Sequence, residues 1–139
     1  MVVTGDIAEL FACADSNCNV QVVKDQHKFE WGSAMLFNCS RCGNLTTDFI
    51  SDTSNKLLDL KWANVIGELP KTWNQIIGYG PAQPSNLYHF TRGIPIWPET
   101  KGNGEDAIWW AEAKEANSSC SYQELMGNSV HELTRNANN

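Results

Sequence analysis

The chain has 139 residues, of which 42% are hydrophobic and six are tryptophan; this excludes a disordered polypeptide, which is depleted in both, and fits one domain or a metal-stapled module with a second small lobe. No stretch reaches 18 uncharged apolar residues, which excludes a helical membrane span, and the acids Asp6 and Glu9 in a start without basic residues argue against a signal peptide. The net charge of −6 disfavours generic binding to a nucleic-acid backbone, which needs a basic face.

In chain order, residues 7–51 hold two cysteine pairs with β-type sequence between them. Val20–Val23 ("VQVV") is rich in β-branched residues, Ala34–Asn38 ("AMLFN") runs into the second pair, and Leu45–Ile50 ("LTTDFI") leaves it. These predict three short antiparallel strands, with turns at Asp15-Ser16-Asn17 and Gly43-Asn44. The segment "KLLDLKWANVIGEL" reads equally as a short helix or a strand pair ended by Pro70, and "WNQIIGYG" reads as a strand. Pro81, Pro84, Pro95 and Pro98 then predict ordered loop, pinned by Tyr79, Tyr88, Phe90 and Trp97. Residues 99–135 predict a helical hairpin. Glu105 and Asp106 suit a helix N-terminus, Ala107 to Glu115 are strong helix formers, and a break is expected at Asn117-Ser118-Ser119. Ser121 and Glu124 stand at capping-box spacing, followed by an apolar face of Tyr122, Leu125, Met126, Val130 and Leu133. The expected fold class is α+β: an N-terminal antiparallel zinc ribbon in residues 1–55, then a unit of residues 56–139 with an irregular proline-rich linker region and a C-terminal helical hairpin.

Four residues lie between Cys13 and Cys18, two between Cys39 and Cys42, and twenty separate the pairs. A tetrahedral structural zinc site needs two close pairs on tight turns, brought together by a hairpin. The four cysteines are therefore the expected ligands of one Zn²⁺, with Gly43 expected to supply a positive φ behind the last of them. Three alternatives stand beside this: a redox pair at Cys39 and Cys42, disulfides, and His27 replacing Cys18 as a ligand. Four cysteines would close the coordination shell, so a catalytic metal with an open position is not expected.

The remaining candidates point to binding. Trp109 and Trp110 project about 100° apart on a helix, so one is expected in the core and the other at an interface, where tryptophan is enriched. Glu112 and Glu115, one turn apart, are expected as a solvated acidic face, because no nucleophile or phosphate loop accompanies them. Cys120, His89 and His131 read as a buried cysteine and two surface histidines. The acids are uneven: residues 1–60 carry eight acids and four bases, 61–104 two and four, and 105–139 six and two. Such a chain is expected to meet a basic protein surface, or a protein that itself grips nucleic acid.

The succession of "FACADSNC", "LFNCSRCGNLTTDF", "GIPIWPE" and "AIWWAEAKEANSSCSYQELMGNSVHELTR" resembles a bacterial and phage zinc-ribbon family of unknown function. That family joins a four-cysteine ribbon, through an extended proline-containing link, to an aromatic helix carrying Glu-Ala and then a second helix. Cys13, Cys18, Cys39 and Cys42 match its ligands and Glu112-Ala113 its Glu-Ala, whereas "VHELTRNANN" departs from its second helix. The likeness covers most of the chain and is weakest over residues 56–90. Such domains accompany restriction and other phage-defence systems. The resemblance implies an accessory or interaction role in phage–host conflict; with the lack of a signal peptide, the expectation is a cytoplasmic, non-enzymatic module, in one form a phage-encoded inhibitor of a host nucleic-acid-processing complex. The alternative is a nucleic-acid-binding accessory protein using Lys24, Lys28 and Arg41, or Lys61, Lys71, Arg92 and Lys101.

Overall fold

Asp6 starts the first helix because its carboxylate accepts the Ala8 amide at 2.9 Å, satisfying one of the donors a helix N-terminus leaves unpaired. The computed structural model describes residues 1–24, 28–52, 57–121, 124 and 127, apart from the side chains of Lys28 and Phe29. It is α+β. After β1 (Val2–Val3) come α1 (Ile7–Ala12), β2 (Val20–Val22), β3 (Met35–Phe37), α2 (Thr47–Ser51), β4 (Ile66–Glu68), β5 (Gln75–Ile76), β6 (Leu87–His89) and α3 (Asp106–Ser119). No helix among the described residues is long and apolar enough to cross a membrane.

The strands form two small sheets, in the orders β3-β2-β4 and β1-β6-β5. The chain divides into two compact units, one of Val3–Gln75 with Gln83–Tyr88, the other of Met1–Val2, Ile76–Ala82 and His89–Asn139. In the first unit, β2 pairs antiparallel with β3 (Val20↔Phe37, Val22↔Met35) and parallel with β4 (Val20↔Ile66, Val22↔Glu68). As the central strand, β2 is buried at all three positions, which fits its β-branched sequence. Val20 and Val22 pack with Leu60 and Trp62, joined by Cys42, Leu45 and Phe49. Val23, Leu69, Trp73 and Leu87 form a second cluster, joined by Leu10, Cys13 and Leu36.

Two expectations need correction. "LTTDFI" is no third strand. Thr46 accepts the Phe49 amide at 3.1 Å and caps α2, while Leu45 and Phe49, four apart, both reach the Val20–Trp62 cluster. Threonine here serves the cap, and the apolar spacing is that of a helix. The third place in the sheet goes to β4. Nor does the C-terminal helix break at Asn117-Ser118-Ser119: α3 runs to Ser119 with Cys120 as its C-cap, and Ser118 Oγ turns back to the Glu115 carbonyl at 2.6 Å within its last turn. The capping box at Ser121 and Glu124 is formed, with Ser121 N to Glu124 Oε2 at 2.7 Å and Glu124 N to Ser121 Oγ at 3.2 Å. The apolar positions of the expected second helix, Tyr122, Leu125, Met126, Val130 and Leu133, and both His27 and His131 lie outside the described residues.

In the second unit, Pro95 and Thr100 are buried, and Thr100 Oγ1 donates to the Ile94 carbonyl at 2.5 Å. Ile77 N meets the His89 carbonyl at 2.9 Å. Specific hydrogen bonds thus hold parts of the proline-punctuated stretch, and β6, most of which belongs to the first unit, is concealed in the sequence by the prolines around it.

Candidate metal centre and interaction surface

The β2–β3 hairpin decides where the cysteines go. Its register, extended one step by the Asn38 N to Asn19 O bond of 3.0 Å, sets Asn19 opposite Asn38, so Cys18 and Cys39 come directly before and after these two strands. Both line one cavity of about 340 Å³, together with Asp15, Ser16 and Asn38. The loop before β2 closes on itself: Asp15 Oδ1 accepts the Asn17 amide at 2.8 Å, and Cys18 N reaches the Asp15 carbonyl at 3.2 Å. After β3 the chain tightens into a 3-10 turn at Cys39–Arg41 and closes with Cys42 N to Cys39 O at 3.3 Å.

Three amide side chains tie these turns together. Gln21 accepts the Asp15 amide at 2.7 Å and donates to the Cys13 carbonyl at 2.9 Å. Asn38 donates to the Ser16 carbonyl at 3.1 Å, and Asn19 to the Arg41 carbonyl at 2.6 Å while accepting the Val65 amide at 2.8 Å. These residues were not among the sequence candidates. Their signal is a glutamine inside a valine strand and an asparagine directly beside a cysteine, polar groups that a buried site must satisfy.

The thiols are arranged unequally. Cys18 and Cys39 share the cavity. Cys42 Sγ donates to the Asn38 and Asn19 carbonyls at 3.1 and 3.3 Å and packs against the Val20–Val22 side of the sheet. Cys13 Sγ donates to the Glu9 carbonyl at 3.3 Å and packs with Leu36 and Val23. Burial pushes the Cys42 thiol up, with neighbouring Cys39 adding to it; burial also raises the Cys18 thiol, helped by its bond to Asp15. Among the described residues, no three His, Cys, Asp or Glu side chains converge as a metal-holding group. Cys18 and Cys39 line one cavity, and the expected Zn²⁺ would draw its other two thiolates from Cys13 and Cys42. Coordination by all four requires Cys13 and Cys42 to exchange their carbonyl contacts for the ion.

Two glycines bear on this centre. A Cβ at Gly67 would stand 2.5 Å from Cys18 Sγ and 2.8 Å from Gln21 Cγ, so β4 passes this close only because the residue has no side chain. Gly43 does not have the expected positive φ, and a Cβ there meets nothing within 4 Å. Gly67→Ala is therefore expected to cost about 1–3 kcal/mol through overpacking, whereas Gly43→Ala stays within about 0.5 kcal/mol of wild type. Paired thermal melts check both.

The partner-binding candidates lie on α3. None of its side chains is buried. Trp110 is 48% exposed and meets Trp109 edge-to-face at 4.8 Å between ring centroids; Trp109 is half-buried, and Glu112 and Glu115 are exposed. Several basic residues are already engaged. Lys24 Nζ donates to the Ile66 carbonyl at 2.9 Å, Lys61 stands 3.9 Å from Asp59, and Arg92 lies over the Tyr79 ring while donating to the Gly78 carbonyl. Compared with family models, with curated proteins and with solved structures, the chain shows no significant match to any of them.

Proposed function

We propose that this protein is a non-catalytic binding module whose first unit is braced by one structural zinc ion and which docks a basic, nucleic-acid-gripping protein through α3. The observation that carries the reading is the makeup of α3, a fourteen-residue helix with no buried side chain that presents a half-exposed tryptophan beside Glu112 and Glu115. An aromatic left in water on an acidic helix matches an interface anchor, and acidic flanks match a groove built for phosphate. Cys13, Cys18, Cys39 and Cys42 would hold the ion; four thiolates around zinc supply rigidity and leave no open position for a substrate. Inhibition of a host defence complex is the form that the family resemblance favours.

Capture from the native cell extract tests this. Binding is expected to weaken steeply with salt, to be competed by added DNA, and to fall about tenfold or more in Trp110→Ala, the loss typical of an interface hot spot. Capture by Trp110→Ala at the wild-type level would remove α3 as the docking surface, and salt-insensitive capture would remove the charge argument.

A further inference from the structure

The first sheet has two edges, and they are treated differently. On β4, the Lys24 ammonium occupies the Ile66 carbonyl at 2.9 Å, the kind of lysine blockade that keeps an edge from pairing. On β3, among the described residues, no side chain does the same. Its neighbour in the sheet is β2 alone. Because Asn38 N bonds to Asn19 O and bonding alternates along an antiparallel pair, Leu36 turns its N–H and C=O toward β2, while Met35 and Phe37 turn theirs outward. Among the described residues, no hydrogen bond reaches those outward groups. The cavity already described takes in Leu36 and Phe37 of this strand, with Phe11, 62% exposed, also in its wall.

We infer that β3 is a docking edge for an extended peptide of a partner protein, with alternating apolar and basic residues, which adds as a fourth strand beside Met35–Phe37. Backbone pairing supplies the geometry, and the aromatic wall selects the apolar side chains. Charge selects the basic ones. Asp15 lines the groove and is exposed; Asp6 and Glu9 on α1 are exposed as well, against Arg41 as the cation near Asp15. A second copy of this chain fits poorly, since edge-to-edge pairing would set these acids against their own duplicates in a molecule of net charge −6. The inference rests on the partner being a protein, as in the reading above, but not on α3; the groove shares its lining with Cys18 and Cys39.

The test is a titration of the ¹⁵N-labelled full chain with the blocked peptide Lys-Val-Lys-Val-Lys-Val-Lys, and with its Glu-Val counterpart. The Met35 and Phe37 amides should shift and gain protection from exchange, while Leu36, already bonded to β2, should not. The acidic peptide should bind about tenfold or more weakly. Met35→Pro removes an outward donor without touching the β2–β3 ladder and should abolish binding. Phe11→Ala, at an exposed position off the strand, should weaken binding about fivefold or more while leaving the melt unchanged. Equal binding of both peptides, shifts that fall on α3 instead of β3, or full binding by Phe11→Ala would overturn the proposal. A failed titration alongside intact, Trp110-dependent capture would overturn this inference and leave the proposed function standing.

Discussion

Exhaustive chelation of purified protein, or the substitution Cys39→Ser, is expected to collapse the first unit. Zinc bound by finger-type cysteine sites contributes about 10–16 kcal/mol at neutral pH, against about 5–15 kcal/mol for the whole net stability of a typical domain. Here the ion would share the work with two apolar clusters, around Val20 and Trp62 and around Leu69 and Trp73, so the unit does not begin from nothing. It would also have to draw Cys42 Sγ from the Asn38 carbonyl and Cys13 Sγ from the Glu9 carbonyl, and displace protons from thiols that burial has raised. These costs reduce the net gain. Even about 4 kcal/mol remaining would move the midpoint of a unit this size by roughly 15–30 °C. The expected result is one zinc per chain by elemental analysis and a fall of that size on metal removal. Cys120→Ser, at the end of α3 and remote in sequence from both pairs, should leave metal content unchanged. A metal-free preparation with the same melting curve would end the zinc reading.

The hairpin beneath that prediction was legible because its signal is local. "VQVV" and "AMLFN" are strand-like on their own, and cysteines flanking both strands mark the turns at one end. α3 was legible for the same reason, through its run of alanine, glutamate and lysine. What escaped is what distant residues decide. Val20 pairs with Ile66 across a stretch that reads equally well as helix or strand, and only the burial of β2 on both sides makes a parallel neighbour necessary. Thr46 and Thr47 carry strand propensity, but a side chain that caps the Phe49 amide gains a hydrogen bond that a strand would not give it. The tying roles of Asn19, Gln21 and Asn38 depend on carbonyls at Arg41, Cys13 and Ser16 that come near only after the hairpin closes. Of Trp109 and Trp110, expected as one core and one interface residue, neither is buried, and Trp110 is the more exposed.

Trp73→Ala is expected to be the most damaging change away from the cysteines, costing about 3–5 kcal/mol. Trp73 is 2% exposed and packs with Val23, Leu69 and Leu87. It lies in a 3-10 turn, Lys71–Trp73, fixed by its own amide bonding to the Pro70 carbonyl at 3.0 Å. That backbone cannot follow the lost ring, so a cavity remains, and the cost exceeds simple transfer of the indole to water. Trp110→Ala removes the same side chain from a half-exposed helical position and should stay within about 0.5 kcal/mol of wild type. Urea unfolding separates the two: Trp73→Ala should lower the midpoint by at least 1 M at unchanged slope, given about 1–3 kcal/mol per molar for small proteins. The damage should also reach the metal. Leu10, Cys13 and Leu36 pack on the same cluster, so a loosened Trp73 pocket frees the Cys13 turn and should weaken zinc retention against a competing chelator, while Trp110→Ala retains the ion as wild type does. Equal zinc retention by the two variants would show that the Cys13 turn is held by Gln21 and the α1 cap alone.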